Sequence, residues 1–106
     1  MKYRLTKRAR RQLDHITYYI AIDNERAAER VYESVLDTCQ MIADMPGIGR
    51  KPTYLSDSDI LSVNVKQYKN YMVFYRERRE EVVILYIIDG RRNLPDLISD
   101  NEESYD

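Results

Sequence analysis

The chain has 106 residues, 43% of them hydrophobic and 33% charged. That length suits a single domain with one modest core, and the composition excludes a disordered chain. The one cysteine, Cys39, excludes an internal disulfide, and the Cys/His spacing of a zinc site is absent. The longest apolar run, residues 82–88, is too short to cross a bilayer, and the basic N-terminus lacks the apolar core of a secretory signal. We therefore expect a protein of the reducing cytoplasm.

The net charge of −1 conceals a difference between the two ends of the chain. The first eleven residues carry six Lys or Arg and no acid, whereas the last eleven carry five Asp or Glu and no base. A basic body with an acidic tail is typical of interaction proteins, although we favour the simpler interpretation of a solvated terminus. The predicted organisation is one domain over residues 1–98 and an acidic tail over residues 99–106.

The N-terminal half predicts a short strand and two helices. Residues 2–5 alternate charged and apolar side chains, as edge strands do, and Thr6 stands where a helix N-cap belongs. Apolar residues at spacings of three and four predict helices over residues 6–23 and 25–46, with Asn24 as the second cap. Because the break between them is so short, the helices should form an antiparallel hairpin.

The C-terminal half predicts three strands after a long loop over residues 47–59. Strands are expected near residues 60–66, 71–77 and 82–88, and the last is apolar throughout, like a central strand buried on both faces. Short turns between consecutive strands favour antiparallel pairing. The predicted fold is therefore α+β, in the order β-α-α-β-β-β, with the helical hairpin packed on one face of an antiparallel sheet.

No group of residues in the sequence demands catalysis. His15 is the only histidine, and its neighbours on the helix are Arg8, Arg11 and Tyr19. A lone helical histidine lacks the orienting partner that acid–base chemistry needs, so we predict a solvated or packing role. Cys39 lies on the apolar stripe of the second helix and should be a core residue rather than a nucleophile.

Short motifs follow one another in a characteristic order along residues 2–98. They are Tyr3-Arg4-Leu5-Thr6 with Ala9 and Leu13-Asp14-His15-Ile16, Tyr18-Tyr19-Ile20-Ala21, Met45-Pro46 with Gly49-Arg50, Tyr71-Met72-Val73-Phe74-Tyr75-Arg76, and Ile88-Asp89-Gly90-Arg91-Arg92-Asn93-Leu94. In this order and spacing they resemble the RelE/ParE superfamily of toxins from type II toxin–antitoxin systems, most of all its ParE-like branch. Three features depart from that pattern. Asp89 stands where ParE-like chains often have a histidine, a second basic residue, Arg92, sits beside the Arg91 position, and the acidic residues 101–106 extend beyond the pattern.

The resemblance implies a cytoplasmic toxin that needs no cofactor and is neutralised by a cognate antitoxin protein. ParE-like toxins inhibit DNA gyrase by protein binding, whereas RelE-like toxins cleave mRNA on the ribosome. We therefore expect a gyrase inhibitor that is not an enzyme, with no membrane contact and no direct sequence-specific nucleic-acid binding by the toxin alone. The alternatives are a RelE-like endoribonuclease and a non-toxic, degenerate toxin fold. For the ribonuclease, Tyr75 or Tyr86 could be proposed as the acid, but among ten tyrosines a packing role is favoured.

The segment after the last strand is the predicted target-binding site. Gly90 should free the backbone to turn there, and two adjacent guanidinium groups can pair with carboxylates or phosphates. The predicted target-binding residues are Arg91, Arg92, Asn93, Leu94 and Arg76.

The hairpin and the sheet should instead bind the antitoxin, as a docked helix or an added strand. The predicted antitoxin contacts are Tyr18, Tyr19, Tyr71 and Phe74. Because neighbouring helix positions point about 100° apart, we expect one of Tyr18 and Tyr19 to pack inside and the other to face a partner.

Overall fold

A computed structural model describes residues 1–98. Strand β1 (Lys2–Leu5) is followed by helices α1 (Lys7–Asp23) and α2 (Glu25–Asp44), and two short 3-10 turns, Pro46–Ile48 and Thr53–Leu55, interrupt the long loop. Strands β2 (Leu61–Val65), β3 (Tyr68–Glu77) and β4 (Glu81–Asp89) and the short helix α3 (Leu94–Leu97) complete the order. The predicted acidic tail over residues 99–106 lies outside the described residues.

The predicted elements are confirmed with small shifts of their ends. The side chains of Thr6 and Asn24 accept hydrogen bonds from the amides of Ala9 and Ala27, so both predicted N-caps are present. Strand β3 begins at Tyr68, three residues earlier than expected. Gln67, at φ 69°, adopts the left-handed conformation that lets so short a turn close the hairpin between β2 and β3.

The four strands form one sheet in the order β1-β4-β3-β2. The pairs β2–β3 and β3–β4 are antiparallel, but β1 runs parallel to β4, so the sheet is mixed rather than wholly antiparallel as predicted. The prediction was wrong for β1 because no tight turn joins it to its neighbour. The helical hairpin and two strands separate β1 from β4 along the chain, and a connection of that length permits either direction.

Apolar side chains bury both faces of the sheet. The helical hairpin covers one face, as predicted, in a cluster that includes Leu13, Val35, Cys39, Ile42, Val73 and Ile84. The loop after α2 and the α3 segment cover the second face, in a cluster that includes Ile60, Phe74, Val83, Leu85, Tyr86 and Ile88. Strand β4 is therefore central and buried on both faces, which confirms that prediction.

A bulge in β4 divides its apolar residues between the two faces. Phe74 pairs with Tyr86 and Tyr75 pairs with Ile84, which leaves Leu85 as an extra residue without a partner in β3. Leu85 and Tyr86, although adjacent, therefore both belong to the cluster on the second face.

Beyond the end of β1, helix α1 and its N-cap supply hydrogen bonds to the edge of β4. The Thr6 amide donates to the Ile84 carbonyl at 3.0 Å, and the Thr6 hydroxyl donates to the Leu85 carbonyl at 3.4 Å. Nearly two helical turns later the Gln12 side-chain oxygen accepts from the Ile87 amide at 2.9 Å. These bonds satisfy backbone groups that a strand would otherwise pair, and they hold α1 against the C-terminal half of β4.

Tyr75 ties the loop after α2 to the sheet. Its side chain is fully buried, and its hydroxyl donates to the Pro46 carbonyl at 2.6 Å and accepts from the Gly49 amide at 2.9 Å. A Cβ at Gly49 would lie 2.5 Å from that hydroxyl oxygen, so only glycine fits this approach without a shift. Tyr86 is also buried, edge-to-face against Phe74. Both tyrosines are packing residues, as the sequence favoured.

Cys39 is fully buried on α2, and burial raises the pKa of its thiol to about 12. It is a core residue, as predicted, and unreactive as a nucleophile at neutral pH. No helix within residues 1–98 combines the length and apolar character needed to cross a membrane.

We predict that Thr6→Val lowers the free energy of unfolding by about 1–2 kcal/mol, because it removes the cap of α1 and the bond to the Leu85 carbonyl while preserving side-chain shape. Chemical denaturation of the full chain measures the loss. Thr17→Val is the matched control, since within residues 1–98 the Thr17 hydroxyl bonds only to the Leu13 and Asp14 carbonyls of its own helix. A loss equal to that of the control would show that Thr6 does not hold the edge of β4.

We predict that Tyr75→Phe destabilises the chain by about 1–3 kcal/mol, because the Gly49 amide loses its acceptor in a site that water reaches poorly. Thermal unfolding followed by circular dichroism measures this change. Tyr54→Phe, at a partly exposed position in the same loop, should leave stability within about 0.5 kcal/mol of the parent. Equal melting temperatures for Tyr75→Phe and the parent would contradict the assignment.

Candidate functional site

An open groove of about 660 Å³ lies where α1 passes the C-terminal end of β4. Its apolar floor is formed by Ile16, Ile20, Ile87 and Ile88, and Tyr19 and Tyr71 also line it. Its polar lining comprises Arg8, Arg11, Gln12, His15, Asp23, Asn24, Asp89 and Arg92. Three arginines against two aspartates make this the cationic groove of the molecule. An apolar floor beneath guanidinium groups suits the binding of an amphipathic, acidic surface.

The α1 side of the cationic groove follows from helical spacing. Arg8, Arg11, His15 and Tyr19 recur at intervals of three and four residues, so they lie along one side of the helix. The Arg8 guanidinium sits 4.3 Å from the centre of the Tyr86 ring, which fixes its position through a cation–π contact. The His15 ring lies edge-to-face with Tyr19, with ring centres 4.7 Å apart.

Asp89 forms the turn that follows β4 and binds Arg91. The carboxylate accepts from Arg91 Nη2 at 2.6 Å, from Arg91 Nε at 2.9 Å and from the Arg91 amide at 2.9 Å. These hydrogen bonds, strengthened by the arginine charge, hold the pKa of Asp89 below its usual range. The residue that departs from the ParE-like pattern therefore neutralises one of the two adjacent arginines.

Arg92 is placed differently from Arg91. Its amide donates to the Asp89 carbonyl at 3.2 Å, and its side chain lines the cationic groove. Arg91 does not line that groove, and its side chain is 74% exposed beside Asp89. The two arginines, equivalent in sequence, thus have separate roles in the structure.

Gly90 is needed for close approach rather than for an unusual backbone angle. Its φ is not positive, so the expectation of special turning freedom was wrong. Its amide donates to the Asn70 carbonyl at 2.6 Å, and a Cβ there would lie 2.6 Å from the sulfur of Met72. Any larger residue would push Met72 aside at the start of the segment that carries Arg92.

The other predicted target-binding residues lie outside the cationic groove. The Asn93 side-chain amide donates to Asp96 at 2.7 Å, and Leu94 packs against the cluster on the second face of the sheet. Arg76 is buried near the opposite end of β4 from Asp89. Its Nε donates to Asp59 at 2.6 Å, and although burial raises the pKa of Asp59, the bond and charge of Arg76 lower it overall. Grouping Arg76 with the segment after β4 was therefore wrong.

The predicted antitoxin contacts differ in their exposure. Tyr18 is 65% exposed and Tyr19 is 59% exposed, so neither packs inside as expected. The core side of α1 is occupied by smaller or aliphatic residues, and the two tyrosine rings lie edge-to-face outside it, 5.7 Å apart. Tyr71 is half-buried in the cationic groove. Phe74 is fully buried, which leaves it no surface for a partner.

A second groove, of about 570 Å³, lies between α1 and α2. Its lining comprises Asp14, Thr17, Tyr18, Ala21, Glu25, Ala28, Glu29, Tyr32 and Glu33. Four of these residues are acidic and none is basic, so this is the acidic groove of the molecule. Neither groove was predicted from the sequence, although the i, i+4 spacing of Glu25, Glu29 and Glu33 predicts that they share one side of α2.

Neither groove assembles a proton-transfer site within residues 1–98. The only ring or hydrogen-bond partner of His15 in that part of the chain is Tyr19, which cannot fix an imidazole tautomer as a carboxylate does. Asp89 is engaged with Arg91. The described residues also contain no cluster of three or more His, Cys, Asp or Glu that could hold a metal ion.

Comparisons with known proteins agree with this architecture. A search of curated proteins found no match. One solved structure, of the chromosomal ParDE toxin–antitoxin system from P. aeruginosa, is similar with a TM-score of 0.69 and 17% identity, over 84% of this chain and 95% of that chain. At that identity the likeness concerns the fold. Residues 3–94 match the family described as the ParE toxin of the type II toxin–antitoxin system parDE, and because this match spans most of the sequence, the chain belongs to the ParE toxin family.

Proposed function

We propose that this ParE-family toxin inhibits DNA gyrase by binding it through the cationic groove and performs no chemistry itself. The observation that carries the proposal is the position of Arg92. The family pattern implies a target contact after the last strand, and there Arg92 lines a groove with Arg8 and Arg11 above an apolar floor. Guanidinium groups in such a setting bind carboxylates or phosphates through paired hydrogen bonds.

The same groove supports a mechanism of neutralisation. Tyr19 and Tyr71, two of the predicted antitoxin contacts, line it together with Arg92. An antitoxin segment that packed on these tyrosines would cover the arginine that we assign to the target. Such a segment should be acidic and amphipathic, to match the arginines and the isoleucine floor. Antitoxin and gyrase would then compete directly, in the cytoplasm.

A ribosome-dependent ribonuclease is the second candidate, because His15 shares the groove with Arg8, Arg11 and Arg92. Arginines stabilise charge on a phosphate, and an imidazole can move a proton. Against this proposal, the described residues give His15 no orienting carboxylate, and Tyr75 and Tyr86 are buried. Among residues 1–98, no surface feature favours a degenerate, non-toxic fold over either candidate.

We predict that Arg92→Ala weakens gyrase inhibition by about tenfold or more, since it removes a charged contact from the lining of the groove. Arg91→Ala should cost no more than about threefold, because Arg91 is exposed and already paired with Asp89. The readouts are supercoiling by purified gyrase and the amount of cleaved DNA trapped with it. Arg30→Ala, at an exposed position on α2 outside both grooves, is the matched control.

The same proteins should be tested for cleavage of ribosome-bound mRNA. Cleavage that His15→Gln abolishes, with gyrase unaffected, would establish the ribonuclease instead. Equal losses for the Arg91 and Arg92 variants would contradict the assignment of the groove as the binding surface. Inactivity of the parent chain in both assays, together with normal growth on expression, would identify a degenerate toxin.

A further inference from the structure

The outward side of α1 carries an apolar ridge, which we define as His15, Tyr18, Tyr19 and Ile22. Tyr18, Tyr19 and Ile22 are each at least 59% exposed. They are half of the large hydrophobic residues that the described chain exposes, since the others are Met1, Met45 and Tyr54. Three such residues within two helical turns, bordered by charged groups, are characteristic of a protein–protein interface.

The two grooves flank this ridge and carry opposite charge. On one side, the cationic groove presents Arg8 and Arg11. On the other, the acidic groove presents Asp14, Glu29 and Glu33. Across α1, the surface therefore changes from the positive cationic groove to the apolar ridge and then to the negative acidic groove.

We propose that this surface binds a second copy of the chain, in a symmetric dimer whose two α1 helices run in the same direction. A two-fold axis that lies along the ridge, parallel to α1, rotates the second copy by 180°. Each cationic groove then faces the acidic groove of the other copy, and the two ridges pack together. A two-fold axis perpendicular to α1 would make the helices antiparallel and bring like charges together. Charge complementarity therefore selects the parallel arrangement, because like charges across an interface oppose binding.

The charges also match along the length of the helix. Arg10 Nη1 donates to the Tyr32 hydroxyl at 3.4 Å, which sets that part of α2 beside the first half of α1. Because α2 runs antiparallel to α1, Glu33, the next residue, lies about two residues, or about 3 Å, from the level of Arg11, a distance that the long arginine side chain spans. Under a two-fold axis parallel to α1, levels along the helix are preserved. Arg11 of each copy then faces Glu33 of the other copy, and the pair forms twice in the dimer.

A second copy fits this surface better than an unrelated partner does. An unrelated partner would have to supply an acidic strip, an apolar strip and a basic strip in that order and spacing. A second copy supplies all three by symmetry alone. If the proposed function holds, the dimer would also cover Tyr19 and the cationic groove, so that dimer formation would exclude both gyrase and the antitoxin. The dimer itself does not depend on that proposal.

Charge reversal tests the pairing directly. In sedimentation equilibrium of the purified full chain, Arg11→Glu and Glu33→Arg should each weaken self-association by about tenfold or more. The double variant, with both charges reversed, should recover to within about threefold of the parent, and a mixture of the two single variants should form a heterodimer. Arg30→Glu, outside both grooves, is the control and should leave the dimer unchanged. Added salt should weaken the parent dimer.

Cysteine cross-linking tests the direction of the helices. His15→Cys and Ile22→Cys, made separately, should each form a disulfide with their own counterpart under mild oxidation, because both positions lie along the proposed axis. In an antiparallel pair these positions, about 10 Å apart along the helix, could not both come within disulfide distance of their counterparts. Cys39 gives no background, since it is fully buried. Tyr54→Cys, in the loop on the other side of the sheet, should stay monomeric.

The outcomes separate cleanly. A parent chain that remains monomeric into the high micromolar range would overturn the proposal, whatever the gyrase assays show. Failure of the double reversal to recover association, with all variants folded by circular dichroism, would overturn the charge pairing. Cross-linking at only one of the two ridge positions would overturn the parallel arrangement. Recovery by the double variant together with cross-linking at both positions would establish it.

Discussion

The cationic groove depends on how the backbone groups at the edge of β4 are hydrogen-bonded beyond the level of Leu5. Strand β1, which pairs with β4, ends at Leu5. Beyond it, Thr6 and Gln12 supply the hydrogen bonds to β4 that a longer β1 would have made. Because those bonds come from a helix, α1 is held beside the C-terminal half of β4. One side of α1 then faces the segment after β4, and the cationic groove is the space between them. If a longer β1 replaced the start of α1 at this edge, Arg8 and Arg92 would not line the same groove.

Local signals determined most of the fold that could be predicted. The caps at Thr6 and Asn24, the apolar stripes of the helices and the run over residues 82–88 each act within a few residues, so they can be read directly. The parallel pairing of β1 and the bulge at Leu85 cannot. A continuous apolar run has no period of two, and it therefore gives no indication of which residues face which side of the sheet. The burial of Phe74 could not be predicted either, because the segments that cover its face of the sheet are distant in the sequence.

The candidate site was predicted in its chemistry but not in its geometry. Two adjacent arginines appear equivalent in sequence, and only the turn after β4 shows that the Asp89 carboxylate engages Arg91 and leaves Arg92 to the groove. The departure at Asp89 thus changes which cation is available rather than removing the cationic character of the segment. The sequence shows that Arg8 and Arg11 lie on the same side of α1 as His15. Helical spacing alone does not show that the end of β4 and Arg92 face that side.

Helix α1 performs structural and binding roles on separate sides. Its buried residues, Ala9 and Leu13, and its two edge contacts fix the helix to the sheet and to α2. Its exposed residues, such as Arg11, Tyr18, Tyr19 and Ile22, lie outside the buried core and contribute little to stability. Surface substitutions of this kind usually change stability by less than about 0.5 kcal/mol. Selection for a new partner can therefore alter the ridge and the grooves while Thr6, Gln12 and Leu13 keep the scaffold unchanged. A scaffold of this design permits related toxins to share a fold at low sequence identity while their binding surfaces diverge.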